Sequence, residues 1–266
     1  MLTVELAEAI GSVGQAITNI FNLFRVKEGE GRRKISKTCR RFGAREDVES
    51  QNVLDKRLKL GIGIKEIRIL NYASTSVLTP SLVDFSNLTH CSNLSDRIKE
   101  LVCKEGVKIT LIINAPDCAA ADEALRSEKI INMNIDGNNR GQVFYQSYKG
   151  IQEIIGENGA FYNSYKSKDF KYRITEVALP YAIFQVKHNN SKKDYVKIDL
   201  YSPYISNESK RRTFFIYRAD DEKNYKYFEE NFDNVYKNAI LEEEEKNRAP
   251  QWLKAASNYS SGKQEK

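Results

Sequence analysis

A mixed α/β domain, with a sheet flanked by helices and preceded by a helical and basic arm, is the fold class this sequence predicts, and three observations predict it. Residues 64–130 run strand, helix, strand, helix. Residues 171–219 hold four β-rich runs separated by turn material. Apolar stripes at helical spacing cover about 142–156 and 221–239, before and after those runs. The 266 residues are enough for one sizeable α/β domain with an appendage.

In order along the chain, residues 2–24 place Leu2, Leu6, Ile10, Val13, Ile17, Ile20, Phe21 and Phe24 on one helical arc. Such a stripe suits docking on its own domain, pairing with a second copy to give a homo-oligomer, or lying on a membrane surface. Residues 25–45 then carry nine basic residues against Glu28 and Glu30, a surplus of seven, so the rest of the chain holds a net −1 of the total +6. The positive character is confined to that segment, and Arg32, Arg33, Lys34, Lys37, Arg40 and Arg41 are the candidate contacts for nucleic acid or an anionic membrane surface. A solvated linker is the plain alternative, since Phe42 is the only aromatic side chain among them. A weak helix over 46–60 ends at Gly61–Gly63, which sets a boundary between an arm (1–62) and a domain (63–240).

In the domain, "IKEIRILNYAS" (64–74) reads as a strand and "LSDRIKELVCKEG" (94–106) as a helix. That helix sets Leu94, Ile98, Leu101 and Val102 on one face and Gly106 at its stop. "VKITLIIN" (107–114) is the next strand, and Asp117 stands at the N-cap position of a helix over 116–130. A βαβ unit of this kind requires its two strands to be parallel. The helix over 142–156 turns Val143, Phe144, Ser147, Ile151, Ile154 and Ile155 inward. "HNNSKKD" makes 181–187 and 195–201 a hairpin, and the helix over 221–239 buries Tyr225, Phe228, Phe232, Val235 and Tyr236. Residues 241–266, polar apart from Trp252 and Leu253, are expected to be a mobile tail.

The totals exclude several classes. No run of eighteen apolar residues exists to span a bilayer as a helix, and Glu5 and Glu8 occupy the place of a secretion signal's cations. Cys39, Cys91, Cys103 and Cys118 fit neither a CxxC pair nor a zinc framework, so reduced thiols in the cytoplasm are expected, with no metal and no cofactor. No GxxxxGK[ST] loop, GxGxxG turn or GxSxG elbow is present. Asp194, Asp199, Asp220 and Asp221 read as solvated turn acids.

Ligands of sheets with parallel strands gather beyond the strands' carboxyl ends. There the sequence sets Asn71, Ser74, Thr75 and Ser76 after one strand and Asn114 and Asp117 after the next, a candidate site for an unidentified small ligand. Ordinary loop and capping roles account for the same residues.

Over 64–239, "IRILNYASTS", "ITLIINAP", "RITEVALPYAIFQV", "YVKIDLYSP" and "YFEENFDNVYKNA" together resemble the phospholipase D-like domains attached to some bacterial regulatory proteins. Enzymes of that superfamily share a His-x-Lys-x4-Asp motif whose histidine attacks phosphorus while the lysine holds phosphoryl oxygens. Here His90 is followed two positions on by Ser92, and His188 by Asn190. The strand expected to carry the motif offers Pro180, Tyr181 and Gln185 instead, and His188 reads as an exposed turn residue. The resemblance therefore implies a non-catalytic ligand- or partner-binding regulatory module. The alternative is a phosphodiesterase or nuclease with a rearranged or dimer-completed site.

Overall fold

The computed structural model describes residues 43–44, 63–72, 98, 101–103, 105–119, 141–200 and 212–260. All of them belong to one unit, Thr38–Lys266. Its strands are β1 (Gly43–Ala44), β2 (Ile64–Leu70), β3 (Lys108–Asn114), β4 (Phe170–Thr175), β5 (Tyr181–His188), β6 (Tyr195–Leu200) and β7 (Arg212–Tyr217). They form one sheet in the order β1-β7-β6-β5-β2-β3-β4. β2 and β3 are parallel, as the strand–helix rhythm requires, and β4 is parallel to β3. β5, β6 and β7 are antiparallel, and β5 joins the two halves by pairing against β2.

Central position explains the composition of β5. Covered on both faces, "YAIFQVKH" has no alternation and is buried at every position but Lys187. Its neighbour β2, by contrast, alternates: Ile67 and Ile69 enter the main core, while Glu66 and Arg68 face the other way.

Each face is closed by helices. Phe184, Val186, Leu111, Ile113, Phe170 and Ile174 belong to a core completed by Phe144, Tyr148 and Ile151 of α1 (Gly141–Ile155). A short helix, α2 (Tyr162–Lys166), leads into β4. On the opposite face α3 (Glu222–Lys237) lays Tyr225, Phe228 and Phe232 against the sheet, with Phe228 edge-on to Tyr181 and Phe214. Asp221 caps α3 by accepting from the Asn224 backbone N–H at 3.0 Å. A charged clamp holds the helix down: Arg68 bonds Glu66 at 2.7 Å and Asp233 at 3.0 Å, and Lys187 reaches Glu229 at 2.6 Å.

Most expected elements lie where the sequence puts them. The helix before β3 is described at Ile98, Leu101 and Val102, all buried, and Gly106 ends it with a φ of 65° that favours glycine. The expected helices over 2–24, 46–60 and most of 116–130 lie outside the described residues.

Two differences stand out. The arm set at 1–62 contributes β1, which pairs Gly43 with Thr213 and Ala44 with Arg212 at the sheet's edge. The expected mobile tail is instead helix α4 (Glu242–Ser260), whose Trp252 is 1% exposed and Ala256 fully buried. Burial of an indole outweighs the polarity of its neighbours, because only one stripe of a helix has to be apolar for it to dock. No helix among the described residues is long and apolar enough to cross a membrane.

Candidate functional site

At the carboxyl edge of the parallel strands, backbone bonds continue past the strand ends. Asn71 N–H donates to Ile112 O at 3.0 Å, and Ala115 N–H to Thr175 O at 2.8 Å. Asn71 is half-buried on this edge. Asn114 is fully buried, and its amide Nδ2 donates to the carbonyls of Val177 at 2.8 Å and Thr175 at 3.3 Å. The side chain that the sequence offers to a ligand thus braces the end of β3 against the loop after β4. Ser74, Thr75 and Ser76 lie outside the described residues.

Asp117 is also committed. Its carboxylate pairs with Arg248 of α4, whose guanidinium reaches Glu176 at 2.6 Å and Glu244 at 3.0 Å and stacks over the Trp252 ring at 5.0 Å. One arginine thereby ties the loops after β3 and β4 to the terminal helix. Burial alone would raise the Asp117 carboxyl; Arg248, with the Trp252 indole beside it, outweighs that and holds it below its ordinary value. A carboxylate whose folded value is depressed adds stability that is present above the unfolded value and lost as pH falls through the folded one. Docking of α4 is therefore expected to loosen below about pH 4, read as a red shift in the emission of Trp252, the chain's only tryptophan. Arg248→Met should show part of that shift already at neutral pH, and an emission unchanged down to strong acid would refute the assignment.

His188 is not the exposed turn residue expected. It ends β5, buried, with its backbone N–H donated to Asp194 Oδ1 at 2.7 Å and its ring Nδ1 3.7 Å from the same oxygen. Asp194 is 1% exposed and lies 3.5 Å from Arg218 Nη1, so it is a node of the fold rather than a solvated acid. The turn Ser191–Lys193 folds Asp194 back under the strand end, a consequence of turn geometry that composition does not reveal. Lys187 points to the other face, toward Glu229. His90 lies outside the described residues.

Asp199, which the sequence reads as a solvated turn acid, is instead half-buried on β6 and belongs to a charged group. Lys197 and Asp199 stand at i and i+2 on β6, hence on one face, with Nζ 3.2 Å from Oδ2. Thr213 of β7 donates to the other oxygen of Asp199. Lys197 is 4% exposed, and the trio sits toward the carboxyl edge, where Ala182 of β5 faces Asp199. The signal was a Lys-x-Asp in a run of apolar strand residues, where a charge on an inward position needs a partner. Lys197 is opposite Phe184, four residues before His188, a separation of about 13 Å along the strand. The histidine and this lysine therefore do not converge on one phosphoryl group.

The candidate cations Arg32, Arg33, Lys34, Lys37, Arg40 and Arg41 lie outside the described residues. Among those described, no cluster of three or more His, Cys, Asp or Glu side chains could hold a metal ion. Cys103 donates to the Ala160 carbonyl at 3.3 Å, and Cys118 Sγ accepts from Asn114 Nδ2 at 3.9 Å.

No family model matches the sequence, and no curated protein matches it. Among solved structures, the chain is similar to TrmBL2, an archaeal chromatin protein whose structure shows a novel mode of DNA binding. The similarity covers 88% of this chain and 65% of that one, just under two thirds of its length, at 9% identity and a TM-score of 0.38.

Proposed function

We propose that this chain is a binding module rather than a phosphodiesterase. In this reading a phospholipase D-like α/β domain, without its family's nucleophile, acts as the regulatory body, and residues 25–45 are the arm that contacts nucleic acid. The observation that carries it is the segregation of charge: nine basic residues in that segment against two acidic ones, in a chain that otherwise nets −1. A polyanion is the partner such a segment recognises, through release of the counterions that its phosphates condense.

The geometry around the histidine supports the non-catalytic half of the reading. His188 is buried at the end of β5, and the lysine next to it in sequence turns to the other face to serve the clamp on α3. A phosphoryl-transfer nucleophile needs an imidazole and a cation aimed at one point.

The test is binding of the full-length protein to a short duplex DNA across a salt series. Affinity should fall steeply with salt. Arg32→Gln, Arg33→Gln, Arg40→Gln and Arg41→Gln together should reduce the slope of log K against log salt by about 3.6, at roughly 0.9 for each phosphate that is no longer neutralised. An unchanged slope would count against the arm. No hydrolysis of a generic phosphodiester is expected with or without divalent metal. Turnover that disappears in a folded His188→Gln protein would overturn the reading.

A further inference from the structure

Six lysines stand on the amino edge of the sheet, at the opposite end from the carboxyl-edge site. Lys65 enters β2, Lys108 begins β3, Lys168 and Lys171 flank the start of β4, and Lys192 and Lys193 form the turn that joins β5 to β6. All six are exposed, and none is in an ion pair among the described residues. The topology assembles them. β2, β3 and β4 are parallel and start at this edge, whereas β5 is antiparallel to β2 and ends there, with Asn189 N–H bonded to Gly63 O at 2.7 Å.

Acids stand at this edge as well. Glu66 is held by Arg68 and Lys187, Asp169 accepts from the Ser167 hydroxyl at 2.6 Å, and Glu105 is an exposed carboxylate. Asp220, Asp221 and Glu222 follow β7, outside the span from β6 to β4, and Glu222 is paired with Arg218 and Lys226. From β6 to β4 the edge crosses five strands, about 19 Å at the usual interstrand spacing. That length matches the axial run of about six phosphates on one strand of a duplex.

We propose that this amino edge is a second nucleic-acid backbone surface, distinct from the arm. It goes beyond the preceding reading and shares with it only the class of partner. Over the span from β6 to β4 the exposed lysines gather at the amino edge, while the acidic run Glu242–Glu245 opens α4, which docks beside the carboxyl-edge loops. Backbone contacts of this kind position a polyanion without reading its sequence.

The experiment compares the full-length wild type, an edge variant (Lys65→Gln, Lys108→Gln, Lys171→Gln and Lys192→Gln) and the arm variant above on the same short duplex DNA, with flotation on anionic phosphatidylserine vesicles in parallel. These lysines are exposed, so the edge variant should melt with the wild type. Its salt slope is expected to fall by about 3.6 and its low-salt affinity by at least about tenfold. A slope reduced in the arm variant but unchanged in the edge variant overturns this inference and leaves the arm standing. The converse leaves the edge and removes the arm, and a wild type with no affinity for duplex removes both. Loss of vesicle flotation in the edge variant with duplex binding intact would overturn the nucleic-acid assignment of the edge.

Discussion

Trp252→Ala is expected to lower the stability of the domain by about 3–5 kcal/mol, the range for removing a fully buried large aromatic side chain. Trp252 is 1% exposed, sits edge-on to Tyr148 of α1 with ring centroids 4.9 Å apart, and lies under the Arg248 guanidinium. The loss would spread beyond the cavity. Glu245, one turn before Arg248, accepts from the hydroxyls of Tyr148 at 3.0 Å and Tyr172 at 2.6 Å, and Ala256 O accepts from Gln146 Nε2 at 2.9 Å. Burial, with the Glu245 carboxylate next, pushes both tyrosine hydroxyls well above their ordinary value, so they stay protonated donors at any physiological pH. Without the indole, those bonds have to hold α4 alone. Denaturant unfolding should show the loss as a lower midpoint, and thermal unfolding as a drop of roughly 10 °C. A midpoint within about 0.5 kcal/mol of wild type would mean that the terminal residues do not dock.

That α4 was not legible in the sequence has a physical cause. Four successive glutamates and Pro250 each argue against a helix interior, and the apolar residues are thinly spaced. In the structure the glutamates occupy the first turn, where the helix dipole favours negative charge. The elements read correctly are those whose own pattern is sufficient: the inward Phe144 and Ile151 of α1, the stripe of α3, and the β5–β6 hairpin announced by its turn residues. Strand order was legible only in part. The βαβ rhythm fixes β2 and β3 as parallel neighbours, but nothing local says that β5 pairs with β2. The surroundings of the candidate site were not legible for a related reason. Asn114 and Asp117 have the residue types of a ligand cradle, and only the positions of Val177 and Arg248, 63 and 131 residues away, show what the Asn114 amide nitrogen and the Asp117 carboxylate face. Composition identifies a polar group; the fold decides what it faces.

Lys197→Ala is expected to cost about 3–5 kcal/mol, because it leaves Asp199 charged and partly buried beside Thr213 with its cation gone. The pair itself is a different matter. Taking an ammonium and a carboxylate out of water is costly, and their attraction at 3.2 Å offsets that cost without necessarily exceeding it. Replacing both with apolar side chains of similar volume, Lys197→Met with Asp199→Leu, should therefore recover most of what either single change loses, giving a coupling of about 1–3 kcal/mol in the double-mutant cycle. The cycle separates two reasons for a lysine to stand on an inward strand position. If the pair serves the fold, each single variant is destabilised and the double variant is close to wild type. If Lys197 is held there against its own stability so as to meet an anion at the carboxyl edge, Lys197→Met alone should stabilise the domain, since a buried ammonium is relieved and Asp199 keeps its bond from Thr213. A near-zero coupling with a stabilising single change would thus end the structural account of the trio and move the search for a ligand from Asn114 and Asp117 to β6.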